Sequence, residues 1–576
     1  MPEIGREASR PYKLNIVGIL KGVFMQFRES HAQADVLIIG GGSAGAMAAI
    51  RAKAANPSQK VVVFEKGHIL YSGCIARGMD ALNIVAVPGQ TTPDLYVESN
   101  GMACEGIMDE PVNHRMAERS WEMMKRLESW GVFFPQDKDG NYELLQVHPK
   151  GKFCLSMKEP ELKTILAKRL LNLGCQVFNR VMALELIVEN GRVAGAIGIN
   201  VRTGELVVCH AGAVILSSGG TARFGLPNNG YLYGVYDFPG NTGDGYAMAF
   251  RAGAELTGFE YTLNYYIIKD INAPLLYITL TRGAHLLTAM DGHLEDNHPS
   301  IKSMILEHRK DMSPLRIRMK HLPEDKIREI EDILFSTERP VQQRFFEGRG
   351  VNFRTGDIEL WPTEYYLCGG HGMTGIFVNE KAETTLPGLY AAGDVSLVAR
   401  GHLSGAFVYG EIAAEEATEY SRKNPASKSF DPGRVEGWRA DLTRRLGQTT
   451  GEVSIEEFEY KTRRLISDYC TPPKNSYKLN MALWWMDRLQ KDIREKVRVR
   501  SIHDVFKVLE VENIMLCAKL SATASEERKE SRWGFWHYRP DYPKKDDAQW
   551  LKHIMLKKGA DPEEIRVSHR PIAKMQ

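Results

Sequence analysis

The clearest chemical signal lies in DVLIIGGGSAGAMAAIRAKAANPSQKVVVFEKG, residues 35–67. Gly40, Gly42 and Gly45 have the GxGxxG spacing, and Glu65 follows twenty residues after the last glycine. In this pattern the first glycine allows a tight turn, the second lets the backbone approach a pyrophosphate, and the third lets a helix lie close to a sheet. Glu65 can accept hydrogen bonds from a ribose. The segment therefore predicts a dinucleotide site.

His371 has the surroundings that best suit reaction chemistry. It lies between glycines in the segment GGHGM. A histidine in a glycine-walled turn can come close to a bound ring, where it can polarise or protonate a substrate. The alternative is a histidine on a solvated surface loop, and the residues alone leave both interpretations open.

Alternating strands and helices must position the glycine run. ADVLIIG is typical of a buried parallel strand, SAGAMAAIRAKAA of a helix rich in small residues, and KVVVFEK of the next strand. In a βαβ unit of this order the helix N-terminus faces the phosphates of the ligand. The complete order of strand, glycines, helix, strand and acid is a much stronger signal than the glycines alone.

Later segments favour FAD over NAD as the dinucleotide. The βαβ unit lies near the N-terminus, and a much longer chain follows it. AVILSSGG (213–220) indicates another buried strand, and PGLYAAGDV (387–395) a strand that runs into Gly393 and Asp394. Asp394 can bind the ribityl or phosphate edge of a flavin. The helix that opens in HLSGAF can stabilise negative charge on the reduced ring through its N-terminus.

Composition excludes several classes of protein. The 576 residues carry a net charge of +2, which gives no case for nucleic acid as a partner. None of the eight cysteines forms a CxxC pair, so neither zinc nor an in-chain iron–sulfur cluster has its usual spacing, and we predict no metal site. Sparse cysteines suit a reducing cytoplasm, which is the predicted location.

The N-terminal segment YKLNIVGILKGVFMQFRES is apolar but short, and a lysine interrupts it. It is therefore not expected to span a bilayer or to act as a signal peptide. We predict an amphipathic helix on the protein's own surface, with contact to a partner or a membrane surface as the alternative.

The fold class expected is an α/β FAD-binding domain, Rossmann-like with GxGxxG, interrupted by an inserted α+β domain and followed by a helical domain. The expected limits are 1–32 for an N-terminal extension, 33–260 and 355–430 for the two parts of the FAD-binding domain, 261–354 for the insertion, and 431–576 for the helical domain and an irregular basic tail.

Several segments together resemble the flavoprotein subunits of the succinate dehydrogenase and fumarate reductase superfamily. Besides the glycine unit and PGLYAAGD, they are NTGDGYAMAFRAGAEL (241–256), PTEYYLCGGHGMTGIFVN (362–379) and ESRWGFWHYRPDYPKKDDAQWLKH (530–553). The resemblance covers nearly all of 33–560. Within the superfamily, SGCIARGMDALN (72–83) and PTEYYLCGGHG are similar to the alpha subunit of adenylylsulfate reductase. The resemblance implies FAD and identifies the insertion as a capping domain over the flavin.

One departure from the superfamily concerns flavin attachment. Membrane-bound relatives attach FAD through a histidine after an Arg–Ser pair, where this chain has Gly73 in YSGC, so we expect noncovalent FAD. The cofactor-binding residues expected are Gly40, Gly42, Ser43, Ala44, Gly45, Glu65, Lys66, Ser72, Gly73, Cys74, Val181, Ser218, Gly219, Asn241, Thr242, Asp244, Gly393, Asp394, Ser404, Gly405 and Ala406.

Other departures concern the substrate. Ile278 and Thr279 replace the Thr–Glu pair of fumarate reductases, and no Ser/Thr–Arg–Asp motif follows, so fumarate reduction is not expected. Ile267 stands where adenylylsulfate reductase has a substrate arginine, so the pocket is expected to be altered. The resemblance indicates roles for Asn83, His371, Arg400 and His402, and Lys269, Arg282 or Arg400 could replace the missing arginine. Solvated or structural roles are the alternatives for the candidate residues. The catalytic residues are His371, Arg282, Arg400 and His402, and the substrate-binding residues are Asn83, Lys269 and Glu364.

The function expected is that of a catalytic flavoprotein subunit. It exchanges an electron pair between a small substrate and FAD, and exchanges electrons with a ferredoxin-like iron–sulfur subunit. Two alternatives stay open: a self-contained FAD dehydrogenase or oxidase with a soluble acceptor, and a non-catalytic electron-transfer subunit. The glycine-walled His371 argues against the latter, because a pure relay needs no substrate pocket.

Overall fold

The structure is a computed structural model that describes residues 27–227, 237–269, 276–294, 313–338, 343–427, 431–561 and 564–575. The expected amphipathic N-terminal segment and the segment PSIKSMILEHRK (299–310) lie outside the described residues, apart from the last few residues of the former. In the described part of the chain, no helix has the length and apolar character needed to cross a membrane.

One large sheet of seven strands carries the glycine run. Its central strand, Glu29–Ile39, pairs in parallel with Val61–Glu65 on one side and Leu206–Leu216 on the other. The residues VLII are largely buried because this strand lies between its neighbours and is covered on both faces. The remaining strands are Gln176–Asn179, Val181–Glu189, Arg192–Asn200 and Leu389–Ala391. The expected strand ADVLIIG is confirmed, and it begins five residues earlier than its hydrophobic run.

Two helices pack closely against this sheet and against each other. Helix Ser43–Ala55 follows the glycine run, and helix His402–Lys423 lies beside it. A Cβ at Gly410 would lie 2.5 Å from the carbonyl oxygen of Ala44, so the contact between the helices needs small residues. Other helices of this part are Pro93–Ala103, Glu110–Ser129, Leu162–Asn172 and Asp244–Ala252.

The insertion forms its own antiparallel sheet, called the capping sheet below, with a separate hydrophobic core. The strand order is Tyr266–Ile268, Ile358–Pro362, Leu315–Arg318 and His285–Leu287. Its second strand lies just beyond the expected limit of residue 354. Helices Leu276–Leu280, Glu324–Asp332 and Gln343–Gly348 belong to the same region, as does the π-helical turn Ile333–Glu338. The exact domain limits stay a prediction.

Four long helices follow the second part of the sheet: Pro432–Leu446, Ile455–Tyr469, Ser476–Glu495 and Ile502–Glu527. The chain after them is not irregular, contrary to expectation. Strands Lys552–Lys558 and Ile565–Pro571 form a hairpin whose first strand pairs with Leu256–Thr257, because its apolar residues are buried against helix Ile502–Glu527. A three-stranded sheet, Met79–Leu82, Cys154–Glu159 and Leu144–Leu145, completes the part near the cavity.

Three arginines of the C-terminal tail are internal. Arg528, Arg532 and Arg539 have fully buried side chains. Arg528 binds Glu260 at 2.9 Å and Glu530 at 2.9 Å. These three arginines are therefore not available to a partner at the surface, because their charges are satisfied inside the protein.

Candidate functional site

The glycine run meets different surroundings at each of its three glycines. Gly40 has φ +101°, and a Cβ there would lie 2.4 Å from the carbonyl oxygen of Ser217. A Cβ at Gly45 would lie 1.8 Å from the carbonyl oxygen of Gly40, so the helix needs a glycine to approach the turn. A Cβ at Gly42 would meet no atom within 4 Å, because this backbone faces an open cavity. The first and third glycines shape the turn, and the second faces the ligand space.

Most of the expected cofactor residues line this one cavity. They are Gly40, Gly42, Ser43, Ala44, Glu65, Lys66, Gly73, Cys74, Val181, Ser218, Gly219, Asn241, Asp244, Gly393, Asp394 and Ala406. The segments that supply them are far apart in the sequence, and the carboxyl ends of the parallel strands bring them together.

The other five expected cofactor residues do not line the cavity, and they act on neighbouring backbone or side chains. Gly45 is the close-packing position at the turn. The Ser72 hydroxyl donates to Glu65 at 2.7 Å, and the Thr242 hydroxyl donates to Asp244 at 2.8 Å. Ser404 accepts a hydrogen bond from the backbone N–H of Ile84 at 3.0 Å. Gly405 packs against Met116, where a Cβ would lie 2.9 Å from the sulfur.

The donors and acceptors of the cavity fit FAD. The Ser218 hydroxyl is buried without a hydrogen-bond partner, as expected of a group that binds a ligand. The Glu65 carboxylate is fixed by the backbone N–H groups of Gly41 at 2.8 Å and Gly67 at 2.6 Å, and retains acceptor capacity for ribose hydroxyls. The open space in front of Gly42 lies at the N-terminus of the helix, where a pyrophosphate is favoured.

Lys66 has a different role from a free phosphate-binding cation. Its ammonium group lies 2.8 Å from Asp244 and 2.8 Å from Glu510, a residue of helix Ile502–Glu527. Burial alone lowers the pKa of Lys66, but these two carboxylates outweigh it and hold the pKa above its ordinary value. Lys66 therefore lines the cavity with its charge neutralised. Its ion pair with Glu510 connects the large sheet to the helical region.

Three acidic or thiol groups gather at the same cavity. Ligand atoms of Cys74, Asp237 and Asp394 all lie within 4.8 Å of one another, and the Cys74 thiol donates to Asp237 at 2.6 Å. Burial and the Asp237 carboxylate raise the pKa of Asp394 to about 7. Burial and the two carboxylates raise the pKa of the Cys74 thiol well above its ordinary value. The group could in principle ligate a metal, but all three side chains line the cavity that fits FAD.

Beside this group in the cavity, His371 and His402 form a direct pair. Their Nδ1 atoms are 3.1 Å apart, and both rings line the cavity. One Nδ1 must carry the hydrogen and the other must accept it. Burial, His371, Arg400 and His148 lower the pKa of His402 well below its ordinary value. Burial is also the largest cause that lowers the pKa of His371. Both rings are therefore neutral at pH 7.

The two histidines are held by paired loops. The backbone N–H of Arg400 donates to Gly372 at 3.0 Å, and that of His402 donates to Gly370 at 2.9 Å. Arg400 and His402 adopt left-handed backbone conformations, with φ +53° and +49°. Such conformations cost free energy in residues other than glycine and are concentrated at functional sites.

The glycines beside His371 serve this loop packing. A Cβ at Gly369 would lie 1.9 Å from the carbonyl oxygen of Ser396, and one at Gly370 would lie 1.8 Å from the Asp394 carboxylate. A Cβ at Gly372 would lie 3.0 Å from the Tyr261 ring. We expected these glycines to leave room for the histidine beside a bound ring. They also let its loop pack directly on the turn that holds Asp394.

Arg400 is a cation without a counterion among the described residues, where it forms no ion pair. Its buried Nε has no hydrogen-bond partner. The ionisable groups that act on it are neutral in their ordinary state: the phenols of Tyr96, Tyr261 and Tyr265 and the thiol of Cys104. An anion that reaches this guanidinium would gain strong, charge-assisted hydrogen bonds.

Three expected substrate residues lie elsewhere. Arg282 binds Glu329 at 2.7 Å and lies 3.8 Å from Glu143, so its charge is used within the protein. Lys269 binds Glu359 at 2.9 Å and lies over a tryptophan ring. Glu364 is fully buried. None of the three lines the cavity, and Arg400 does not line it either, whereas Asn83 does. The backbone carbonyl oxygen of Asn83 lies 2.8 Å from Nε2 of the buried His148, and this hydrogen bond fixes the position of Asn83.

The sequence analysis did not identify three charged residues that line the cavity, namely Arg77, Asp80 and Asp237. Arg77 lies 3.7 Å from Asp237. Arg77 and Asp80 interrupt the otherwise uncharged run SGCIARGMDALN, which was a usable signal. Asp237 directly follows a segment that the structure does not describe, and its position gives no comparable signal.

Comparison with known proteins supports the same class. The family model described as FAD binding domain matches residues 35–264, and that described as Fumarate reductase flavoprotein C-term matches residues 460–576. One chain of the CoM/CoB fumarate reductase of Methanothermobacter marburgensis is 26% identical over 590 residues, which cover 92% of this chain and 98% of the relative. An uncharacterised FAD-dependent oxidoreductase of Methanocaldococcus jannaschii is 25% identical over 557 residues, 91% of this chain and 96% of the relative.

Solved structures share the fold over nearly the whole chain. Adenylylsulfate reductase of Archaeoglobus fulgidus superposes with a TM-score of 0.86 at 23% identity, covering 96% of this chain and 98% of that one. The quinol fumarate reductase flavoprotein of E. coli gives a TM-score of 0.80 at 20% identity, covering 95% and 98%.

The fold, the cavity and these matches define an FAD-dependent oxidoreductase. The chain belongs to the succinate dehydrogenase and fumarate reductase flavoprotein superfamily. The expected fold class and the expected cofactor, FAD, are confirmed.

Proposed function

We propose that this enzyme exchanges an electron pair between a small anionic substrate and noncovalently bound FAD, and that electrons pass to or from a separate iron–sulfur protein. The observation that carries the proposal is the His371–His402 pair, which lines the cavity that fits FAD. Behind it lies Arg400, whose charge acts on both rings and whose buried Nε lacks a partner. A non-catalytic relay has no need for a strained, unsatisfied group of this kind.

Bound FAD supplies the two-electron chemistry. The histidine pair handles the proton that accompanies it. Because one Nδ1–H donates to the other Nδ1, one ring has a free lone pair at Nε2 and the other has a hydrogen there. A proton taken up at the first Nε2 is released at the second as the shared hydrogen moves between the Nδ1 atoms. The pair therefore stays neutral while it transfers a proton to or from substrate.

Arg400 is proposed to bind the negative charge of the substrate, and Asn83 to orient it with its side-chain amide. Arg282 and Lys269 are not retained as contacts, because carboxylates of the protein pair with their charges. Glu364 is not retained because it is fully buried. Ile267, at the position of the substrate arginine in adenylylsulfate reductase, is fully buried in the core of the capping sheet. The substrate is therefore held differently from adenylylsulfate, with Arg400 as its principal cation.

The distribution of thiols bears on where an iron–sulfur centre would lie. All eight cysteines are unpaired, and seven of them are buried at scattered positions in the fold. One relative, from Wolinella succinogenes, is named as the flavoprotein subunit of a fumarate reductase, which indicates an assembly in that protein. An iron–sulfur centre would have to be supplied by another chain, and the cytoplasm is the proposed location. Gly73 offers no side chain for flavin attachment.

The test is a flavin turnover screen. The holoprotein, reduced with methyl viologen, is mixed with small anionic oxidants, and the oxidised protein with small anionic reductants, while the flavin absorbance is followed. We expect an anionic compound to reoxidise or reduce the flavin, and neutral analogues and fumarate to be inactive. Turnover with a neutral analogue at an equal rate would contradict the proposal, as would robust fumarate reduction. Acid precipitation should release intact FAD, whereas flavin that stays on the polypeptide would contradict noncovalent binding.

A further inference from the structure

Three histidines gather on the surface of the capping sheet, away from the flavin cavity. His285 begins strand His285–Leu287, His293 lies in the return of the hairpin after it, and His321 follows strand Leu315–Arg318. The ring centroid of His285 lies 4.8 Å from that of His293 and 3.9 Å from that of His321. All three residues are exposed.

The backbone fixes these three positions. His285 pairs with Arg318 across the sheet, and Leu287 forms a β-bridge with His293. The N–H of Leu294 donates to Leu286 at 3.1 Å, which closes the hairpin. Imidazoles from separate parts of the chain are thus brought to one place by hydrogen bonds that do not involve their rings.

One ring has the tautomer that a metal ligand requires. Nε2 of His321 lies 3.0 Å from the carbonyl oxygen of Gly283. Because a carbonyl can only accept, Nε2 of His321 carries the hydrogen, and in the neutral ring Nδ1 keeps a lone pair. Metal-binding histidines commonly donate their second N–H to a backbone carbonyl in this way, which orients the ring.

The local charge permits a cation. Arg318 is neutralised by Asp291 at 2.8 Å and Asp357 at 2.6 Å. The neighbouring Arg316 also binds Asp291 and Asp357, both at 3.0 Å.

We propose that His285, His293 and His321 bind a divalent transition metal of the class that prefers imidazole nitrogen, such as Zn²⁺, Ni²⁺ or Cu²⁺. Three imidazoles and a water molecule give the four ligands that Zn²⁺ takes. Lone pairs lie in the ring planes, so the stacked rings of His285 and His321 must rotate apart for both to bind. The site links the first hairpin of the capping sheet to the segment after its partner strand.

The test uses the full-length holoprotein after treatment with a chelator. The protein is dialysed against micromolar Zn²⁺, and bound zinc and FAD are measured per chain. We expect one zinc per chain, and at least a tenfold weaker affinity in His285→Ala and in His321→Ala. His503→Ala, at another exposed histidine on the helical region, is the matched control and should retain the zinc.

Two further readouts keep the result specific. Zinc should leave the visible flavin spectrum unchanged, because the three histidines do not line the cavity, and it should raise the Tm of the wild type but not of His285→Ala. The proposal is overturned if the wild type binds no zinc at micromolar concentrations, or if His285→Ala and His321→Ala bind it as well as His503→Ala does.

Discussion

The two ends of the FAD cavity differ in whether their charged groups have partners within the protein. At the nucleotide end, Lys66 is neutralised by Asp244 and Glu510, and Glu65 is held by backbone N–H groups. At the reaction end, the guanidinium of Arg400 has a buried Nε without a partner, and Arg400 itself has a left-handed backbone. The charged groups that face the constant ligand are satisfied within the protein, although the neutral Ser218 hydroxyl is left for FAD. A region that must accept and release a changing ligand keeps groups unsatisfied until the ligand arrives.

The largest expected effect is at the nucleotide end. Gly42→Val places a side chain in the space in front of the turn, where nothing else lies within 4 Å of the Cβ position, so we expect FAD binding to be lost while the fold is kept. The measurement is flavin content together with circular dichroism. Gly45→Val is the comparison, because its Cβ would collide with Gly40 and should prevent folding itself. Normal FAD content in Gly42→Val would contradict the assignment of the space in front of Gly42 to the pyrophosphate of FAD.

At the reaction end, His371→Ala should keep FAD and the fold but lower turnover by about 10²–10⁴, the usual range for loss of a general acid or base. His402→Ala should have a similar effect, and the double variant should be no worse than about threefold below either single variant, since the two rings act as a unit. Rapid-mixing kinetics of the flavin absorbance provide the rates. Independent, multiplicative losses would show that the rings do not share the proton.

The pH dependence should follow the histidine pair. Both pKa values are lowered, so the neutral pair persists as pH falls through 6.5 and is lost only at lower pH. Protonation puts hydrogens on both Nδ1 atoms and breaks the hydrogen bond between them. We expect an acid limb below about pH 6.5, in which kcat/KM falls by up to about tenfold per pH unit, and we expect His371→Ala to lack it. The Asp394 carboxyl lines the same cavity with a pKa of about 7, so a limb above pH 6.5 is assigned to Asp394 and not to the pair. A limb below pH 6.5 that persists unchanged in His371→Ala would contradict the assignment.

The smallest effect on turnover is expected at the cations outside the cavity. Arg282→Met breaks the ion pair with Glu329 and should lower the free energy of unfolding by about 1–3 kcal/mol, with turnover within about threefold of wild type. Lys269→Met should change the free energy of unfolding by about 0.2–1 kcal/mol, because its pair with Glu359 is partly exposed to solvent. Thermal unfolding and flavin kinetics would separate the two effects.

The nucleotide end was largely predictable from the sequence, and the reaction end only in part. Gly40, Gly42 and Glu65 act through local backbone geometry, which a short pattern of residue types determines. His371 and His402 were identified individually, but their pairing depends on two loops that meet through backbone hydrogen bonds. The roles of Arg282 and Lys269 were not predictable, because the partners that neutralise them come from distant segments.

The most direct test of this contrast is the affinity of a small anion for the reaction end. Sulfite is a suitable probe, because its binding can be followed by the loss of visible flavin absorbance without knowledge of the substrate. We expect Arg400→Met to raise the Kd of sulfite about 30-fold or more, the range for loss of a buried charged partner, while Arg282→Met leaves it within about threefold of the wild-type value. Equal Kd values in the wild type and Arg400→Met, both with FAD bound, would contradict the account.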